Sequence, residues 1–295
     1  MDVSLIRDMS QFVGTHHILG NVSTTWISLD EFEKLKEKKL IKIKQDIKLP
    51  LKLLNYTVRA QFKKAWCNEL IIARGLVVRE DGMLIARPLP KFFNHYELKG
   101  SLPEGPFDVY EKMDGSCIIM GFYCGKPFFC TRGSFTSQQS IKAEEIYYEK
   151  YSDLKLDHNY TYCFEIIYPK NKIVVDYGEV TELFLLAKIH TATGIEAPID
   201  NIGFKCVQKL NFHGSFEELK QMDHVNKEGF VVKFKEDNFR IKIKFPTYIS
   251  LHKKGVSFTE SIELLKSGQT PNIPDECFEE LLTKMSELSI KNDVS

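Results

Sequence analysis

The 295-residue chain carries 40 Lys and Arg against 40 Asp and Glu and is 43% hydrophobic, so it can bury one large core or two ordinary ones, and its net charge gives no global sign of a nucleic-acid partner. Its seven cysteines, an odd number without a C-x-x-C pair, argue against a disulfide framework or a structural zinc site and for a reducing interior. No apolar run nears the roughly 18 residues of a membrane span, and no charged leader precedes an apolar stretch, so the reading is a soluble, cytoplasmic protein without a membrane partner.

Along the chain, "SLDEFEKLKEKKL" pairs Ser28 with Glu31 as a capping box and predicts a helix to about Leu40. Seven lysines lie from Lys34 to Lys48; such a run is either a solvated face or a basic face able to hold a polyanion. "LIIARGLVVREDGMLIARPLP" predicts a hairpin turning at Asp81-Gly82. "FDVYEKMDGSCIIMGFYCGKPFFCTRGS" predicts three short strands, broken at Asp114-Gly115 and Gly125, with Lys112 at the mouth of a strand pair. "TSQQSIKAEEIYYEKY" reads as a helix, "YTYCFEIIYP" and "ELFLLAKIH" as strands, and "SFEELKQM" as a helix opened by a Ser215–Glu218 capping box. "EGFVVKFKEDNFRIKIKF" is a hairpin turning at Glu236 to Asn238, and the pattern after Phe245 is helical. The fold class is therefore α+β, a strand-rich antiparallel middle with helices outside. No linker divides it, and a composition shift near Gly255 separates residues 1–254 from a short helical extension, 255–295.

No histidine cluster has metal spacing, and neither G-x-S-x-G nor a P-loop is present. Three features remain: the lysine of "KMDGS", the acid of "CFEIIYP", and the acid and lysines of "KEGFVVKF…RIKIKF". A lysine is a nucleophile only when neutral, and neighbouring cations, a metal or burial favour that form. Lys242 and Lys244, two apart on a strand, face one side and could meet a phosphate. Glu165 and Glu228 interrupt apolar strand starts, where a carboxylate is costly without a partner. Taken singly, each has a plainer reading: a lysine before an ordinary turn, an acid at a strand edge, the outer face of a half-exposed strand.

In order, "ARGLVVRED", "PKFFN", "EKMDGS", "TRGS", "FEIIYPKNKIV", "EGFVVKF" and "KIKFPTYISLH" resemble the covalent nucleotidyltransferases, and most closely the ATP-dependent RNA ligases of the bacteriophage single-strand type. The resemblance runs from about Leu70 to His252. It implies an antiparallel-sheet adenylyltransferase core and an enzyme that seals RNA ends bearing a 5′-phosphate and a 3′-hydroxyl, in RNA repair. It further implies ATP, with AMP passing through Lys112, and Mg²⁺ or Mn²⁺. Lys112, Glu228, Lys242 and Lys244 take the catalytic positions. Arg74, Lys91, Phe93, Glu111, Asp114, Gly115, Arg132, Glu165, Leu186 and Val231, with the two strand lysines, take the nucleotide-binding ones. Phe93 is expected as a pocket wall, Arg74 and Lys91 on phosphates or the RNA end, and Leu186 and Val231 around the adenine. Asp114, Glu165 and Glu228 are expected to hold the metal through water. Ser116 would support the turn, and Tyr248 falls in the shared stretch without an assigned role.

The family often has lysine where Arg132 stands, so the charge is kept and the geometry changed. The 51 residues after Lys244 are too few and too helical for an OB module, and tRNA specificity is not carried over. A monomer is expected. The alternatives are a DNA ligase or guanylyltransferase on the same core, or a non-catalytic RNA-end-binding protein.

Overall fold

The protein is described here from a computed structural model that covers residues 26–98, 102–236 and 238–267, and beyond them 273–274, 277, 280–281 and 283–285. Helix α1 (Asp30–Glu37) forms where the sequence predicts it, but its capping box does not. Leu29 is the N-cap, without a side-chain cap, and Glu31 meets Lys34 at 2.6 Å. A lysine one turn ahead offers that carboxylate a charged partner in place of a backbone amide. The lysine run then continues into a strand the sequence reading passed over, β1 (Ile41–Gln45), paired with β2 (Leu51–Tyr56). Lys42 and Lys44 point to solvent and alternate with Ile41 and Ile43, a period-two pattern hidden by the charge. After two short helices, α2 (Val58–Phe62) and α3 (Asn68–Ile72), β3 (Arg74–Arg79) and β4 (Leu84–Ala86) form the expected hairpin and complete a four-stranded antiparallel sheet. Phe32, Leu54, Trp66, Leu70 and Leu76 make its core with the helices.

The remaining strands build two more sheets. They are β5 (Phe93–Asn94), β6 (Phe107–Lys112), β7 (Ser116–Tyr123), β8 (Lys126–Thr131), β9 (Tyr160–Ile167), β10 (Glu182–His190), β11 (Glu196–Ala197), β12 (Lys205–Cys206), β13 (Lys209–Leu210), β14 (Gly229–Phe234) and β15 (Arg240–Lys244). The second sheet has the order β11-β10-β9-β7-β8, with β12 beside β10; the third is β13-β6-β14-β15-β5. All pairings are antiparallel except β10–β12 and β15–β5. Four helices lie between and after them: α4 (Gln138–Lys150), α5 (Phe216–Gln221), α6 (Pro246–Lys254) and α7 (Phe258–Lys266). Ser137 caps α4, and the predicted Ser215–Glu218 box closes α5 from both directions.

Strand alternation explains the layering. Ile118 and Met120 of β7 and Phe129 of β8 pack on Ala143, Ile146 and Tyr147 of α4, while Ile119, Phe128 and Cys130 turn the other way onto Leu51, Leu53 and Val77 of the first sheet. In the third sheet Val109, Phe230, Val232, Ile241 and Ile243 pack with Leu219 of α5 and Tyr248 of α6. Its opposite face looks across a cleft at the second sheet. The mixed, mainly antiparallel architecture agrees with the α+β expectation. One local expectation fails: β6 and β7 are not a strand pair. β6 pairs with β13 and β14, and β7 with β8 and β9, so at Asp114-Gly115 the chain crosses from the third sheet to the second.

Candidate active site

Lys112 ends β6 at that crossing. In register, Gly229 lies opposite Lys112 on one side and Lys244 on the other. Only glycine fits at 229, where φ is +152° and an added Cβ would stand 2.0 Å from the Ile243 carbonyl oxygen. Glu228, just before it, reaches between the two lysines: Lys112 Nζ donates to Oε2 at 2.7 Å, and Lys244 Nζ lies 3.3 Å from Oε1. Glu228 is 4% exposed and Lys244 8%. Removing one member of such a buried set strands a charge, at a cost of about 3–5 kcal/mol.

A second carboxylate faces this set from the second sheet. Glu165 of β9 accepts the Gly115 N–H at 3.2 Å. Burial pushes its carboxyl up to about 7, with the Glu228 charge adding to the rise and Lys112 and Arg74 opposing it. Gly115 is required because β9 passes so close that a Cβ would sit 2.4 Å from the Ile166 carbonyl oxygen.

Asp114, expected near the metal, is held by four hydrogen bonds. One carboxylate oxygen accepts the backbone N–H groups of Val174 and Val175, both at 2.8 Å, and the other accepts the Tyr248 hydroxyl at 2.7 Å. Its own N–H donates to the Tyr177 hydroxyl at 2.9 Å. At 3% exposure it ties the loop after β9 and helix α6 to the crossing, and so fixes the direction in which Lys112 points. Tyr248 thereby gains the role the sequence left open: it holds Asp114, and Lys244 Nζ lies 5.3 Å from its ring centroid. Ser116 Oγ lies 3.2 Å from Asn171 Oδ1, on the same loop.

The other predicted residues divide. Leu186 and Val231 line one cavity of about 400 Å³ between the second and third sheets, with Glu111, Tyr110, Leu89 and Phe92. Phe93, expected as a pocket wall, is buried instead with its ring 5.4 Å from that of Trp66. Adjacent strand residues face opposite ways, so the wall is Phe92. Lys242 Nζ and the Arg74 guanidinium flank the Phe92 ring at 5.7 and 5.6 Å. Lys91 is 5% exposed and enclosed by the rings of Phe93, Trp66 and Tyr56 at 5.0, 5.5 and 5.9 Å. Arg132 donates to the Tyr56 hydroxyl at 3.0 Å. Glu111 pairs with Lys227 at 3.3 Å.

The far end of the cavity holds residues the sequence reading missed: Glu196 of β11, and Lys233 and Arg240 of the third sheet. Arg240 could have been found by extending the alternation of Lys242 and Lys244 two residues back. Glu196, in "GIEAP", has no such signal.

Among the described residues no three His, Cys, Asp or Glu side chains stand together as a metal site. With Asp114 engaged elsewhere, the carboxylates available are Glu165 and Glu228. The Glu228 charge adds to the rise at Glu165, neighbouring acids suit a divalent cation, and Mg²⁺ is commonly held by one or two carboxylates together with substrate phosphates. The donor set thus fits a metal that arrives with a nucleotide. Among the described residues no helix is long and apolar enough to cross a membrane.

Comparison with known proteins adds the following. A family model described as RNA ligase matches residues 72–248. A protein of Autographa californica nuclear polyhedrosis virus, named by inference a bifunctional polynucleotide kinase/RNA ligase, is 27% identical over 246 residues, which is 72% of this chain and 35% of that one. A protein of Thermovibrio ammonificans, named by inference an RNA ligase, is 32% identical over 196 residues, 58% of this chain and 50% of that one. The chain therefore spans between a third and a half of the length of these curated relatives. A solved structure from Aquifex aeolicus, described by inference as an ATP-dependent DNA ligase, shares the fold with a TM-score of 0.55 at 18% identity, over 90% of this chain and 72% of that one.

Proposed function

Because this chain belongs to the RNA ligase family, whose model matches its residues 72–248, we propose that it is an ATP-dependent enzyme that joins a 5′-phosphate RNA end to a 3′-hydroxyl end. The observation that carries the reading is the Lys112–Glu228–Lys244 set, with Lys112 2.7 Å from Glu228, beside a cavity walled by Leu186, Val231 and Phe92.

In this reading ATP is the first substrate. Its adenine lies between Leu186 and Val231 and its α-phosphate among Lys112, Lys242 and Lys244. Attack needs the Lys112 amine neutral. Its proton leaves by way of Glu228, the acceptor already on it. The Nζ–P bond forms as the α–β P–O bond breaks, and pyrophosphate departs. Lys242 and Lys244 meet the charge that develops on the phosphoryl oxygens. The AMP then passes to the RNA 5′-phosphate and frees Lys112. The 3′-hydroxyl displaces AMP and leaves a phosphodiester. A divalent metal, held through water by Glu165 and Glu228, supplies neutralisation of phosphate charge. Arg74, Lys91 and Arg132 supply fixed positive charge toward the phosphates or the RNA end. Residues 1–254 form the catalytic unit, a monomer acting on generic single-stranded RNA, and repair of broken RNA is the use this chemistry serves.

The test is incubation with α-labelled ATP or GTP and Mg²⁺ or Mn²⁺, followed by denaturing electrophoresis and by sealing assays on unstructured RNA and DNA. The expected result is a covalent AMP label and sealing of the RNA. A GMP label would establish the capping reading, sealing of DNA alone the DNA ligase reading, and no label a non-catalytic end-binding protein.

A further inference from the structure

The second and third sheets are joined covalently at the Asp114-Gly115 crossing and again where β12 runs into β13, with the Val207 N–H donating to the Leu185 carbonyl and the Glu111 N–H to the Gln208 carbonyl. At the far end of the cavity a further join is electrostatic. Glu196 sits on β11, paired with the end of β10. Arg240 grips it through both guanidinium nitrogens, Nη1 to Oε1 at 2.5 Å and Nη2 to Oε2 at 2.6 Å, and Lys233 Nζ adds a bond to Oε2 at 2.8 Å. Arg240 and Lys233 are themselves opposite each other on β15 and β14. Arg240 and Glu196 are 8% and 10% exposed, and all three side chains line the cavity. Two parallel N–H···O bonds in fork geometry fix orientation as well as distance. Leu186 and Val231, on β10 and β14, line the cavity between the Asp114-Gly115 crossing and the Glu196 cluster.

Building on the ligase reading above, we propose that Glu196, with Arg240 and Lys233, is a positioning device: it clamps β11 onto the β14–β15 hairpin and thereby sets the width of the nucleotide cavity. Glu196 contributes no chemistry at the phosphates. It acts through Leu186 and Val231, whose separation decides how well a flat base is held. With the clamp open, the sheets remain joined at Asp114-Gly115 and at the β12–β13 connection, and Lys112 keeps its partner Glu228. The loss falls on nucleotide binding, whereas the catalytic step at saturation is retained.

The experiment is a measurement of KM and kcat for lysine adenylation by ATP in the full chain, comparing wild type, Glu196→Gln and the double variant Glu196→Met/Arg240→Met. The double variant removes both charges together, so no buried ion is stranded, and such exchanges are often neutral for folding. The expected result is a KM for ATP raised roughly tenfold or more in both variants, with kcat changed by less than about threefold. A purely structural role would lower the folded fraction, and therefore kcat, and leave KM where it was. An unchanged KM in the folded double variant, or a loss confined to kcat, overturns the proposal. If Glu196→Gln melts early, the double variant carries the comparison. Absence of labelling in the wild type overturns the ligase reading; labelling in the wild type with unchanged KM in the variants overturns the clamp alone.

Discussion

Two half-buried, desolvated carboxylates of the second sheet reach toward the third and are driven in opposite directions. Glu165, at the catalytic end, is pushed up to about 7, chiefly by burial. Glu196, at the far end, is also strongly desolvated, yet the Arg240 fork and Lys233 hold it down at about 2. Burial is common to both; the difference is whether cations are spent on the carboxylate itself. Around Glu165 the nearby Lys112 is paired with Glu228, and Glu165 itself accepts the Gly115 N–H. The far end is therefore fixed in charge, and the catalytic end is left able to change protonation or take up a cation. In one cleft, a saturated carboxylate builds the frame and an unsaturated one is available for chemistry.

The largest effect should come from the catalytic end. Lys112→Ala should abolish the covalent AMP label and ATP-dependent sealing, while sealing of RNA that already carries a 5′-adenylate should persist, since that step needs no nucleophilic lysine. Lys112→Arg should fail in labelling too, because a guanidinium stays protonated. A label on Lys112→Ala would remove this residue from the mechanism.

The next effect is the pH dependence of stability, and the signs differ between the two ends. Glu165, raised above its ordinary 4.5, contributes stability present below that value and lost as pH rises through 7, by up to about 3 kcal/mol. Glu196, lowered to about 2, contributes stability present above 4.5 and lost as pH falls toward 2. Thermal melts from pH 3 to 8 should peak near 4.5 for these two groups together, and Glu165→Gln should flatten the upper limb only. An upper limb unaltered in Glu165→Gln would assign that dependence elsewhere.

Smaller losses should follow from the flanking charges. Glu228→Gln and Lys244→Ala should each slow adenylation by at least about tenfold, roughly 1.4 kcal/mol of barrier; normal rates in folded variants would return both residues to a structural role. Lys233→Met should be the mildest, costing about 1 kcal/mol or less, because the fork from Arg240 remains. A loss in Lys233→Met as large as that in Glu196→Gln would shift the weight of the far end from the arginine to the lysine.

What the sequence made legible follows the same division. Helix α4, the α5 capping box, the hairpins at Asp81-Gly82 and near Asn238, and the shared face of Lys242 and Lys244 rest on contacts a few residues apart. Lys112, Glu165 and Glu228 stood out because charge interrupts apolar strands, and the structure brings them together. The partners that give them meaning are distant in sequence. Asp114 is held by Val174, Val175 and Tyr248, 60 to 134 residues away, so its role as a tether has no local signal. Phe92 and Phe93 are distinguishable only once the strand's inward face is known. Strand β1 hid in a run of lysines, and the β6–β7 crossing looked like a turn because Asp-Gly serves both. Glu196 could not be read at all: its partners lie 37 and 44 residues away, and nothing local marks a surface acid from a buried clamp.

Whether Lys112 is the nucleophile of a covalent adenylation is read by incubating the full chain with ATP and Mg²⁺, digesting it, and mapping adducts by mass spectrometry. The expected result is one AMP on the peptide that carries Lys112, removed when 5′-phosphate RNA is added. An adduct on Lys242, Lys244 or another side chain, or an ATP-treated chain that carries none, would contradict it.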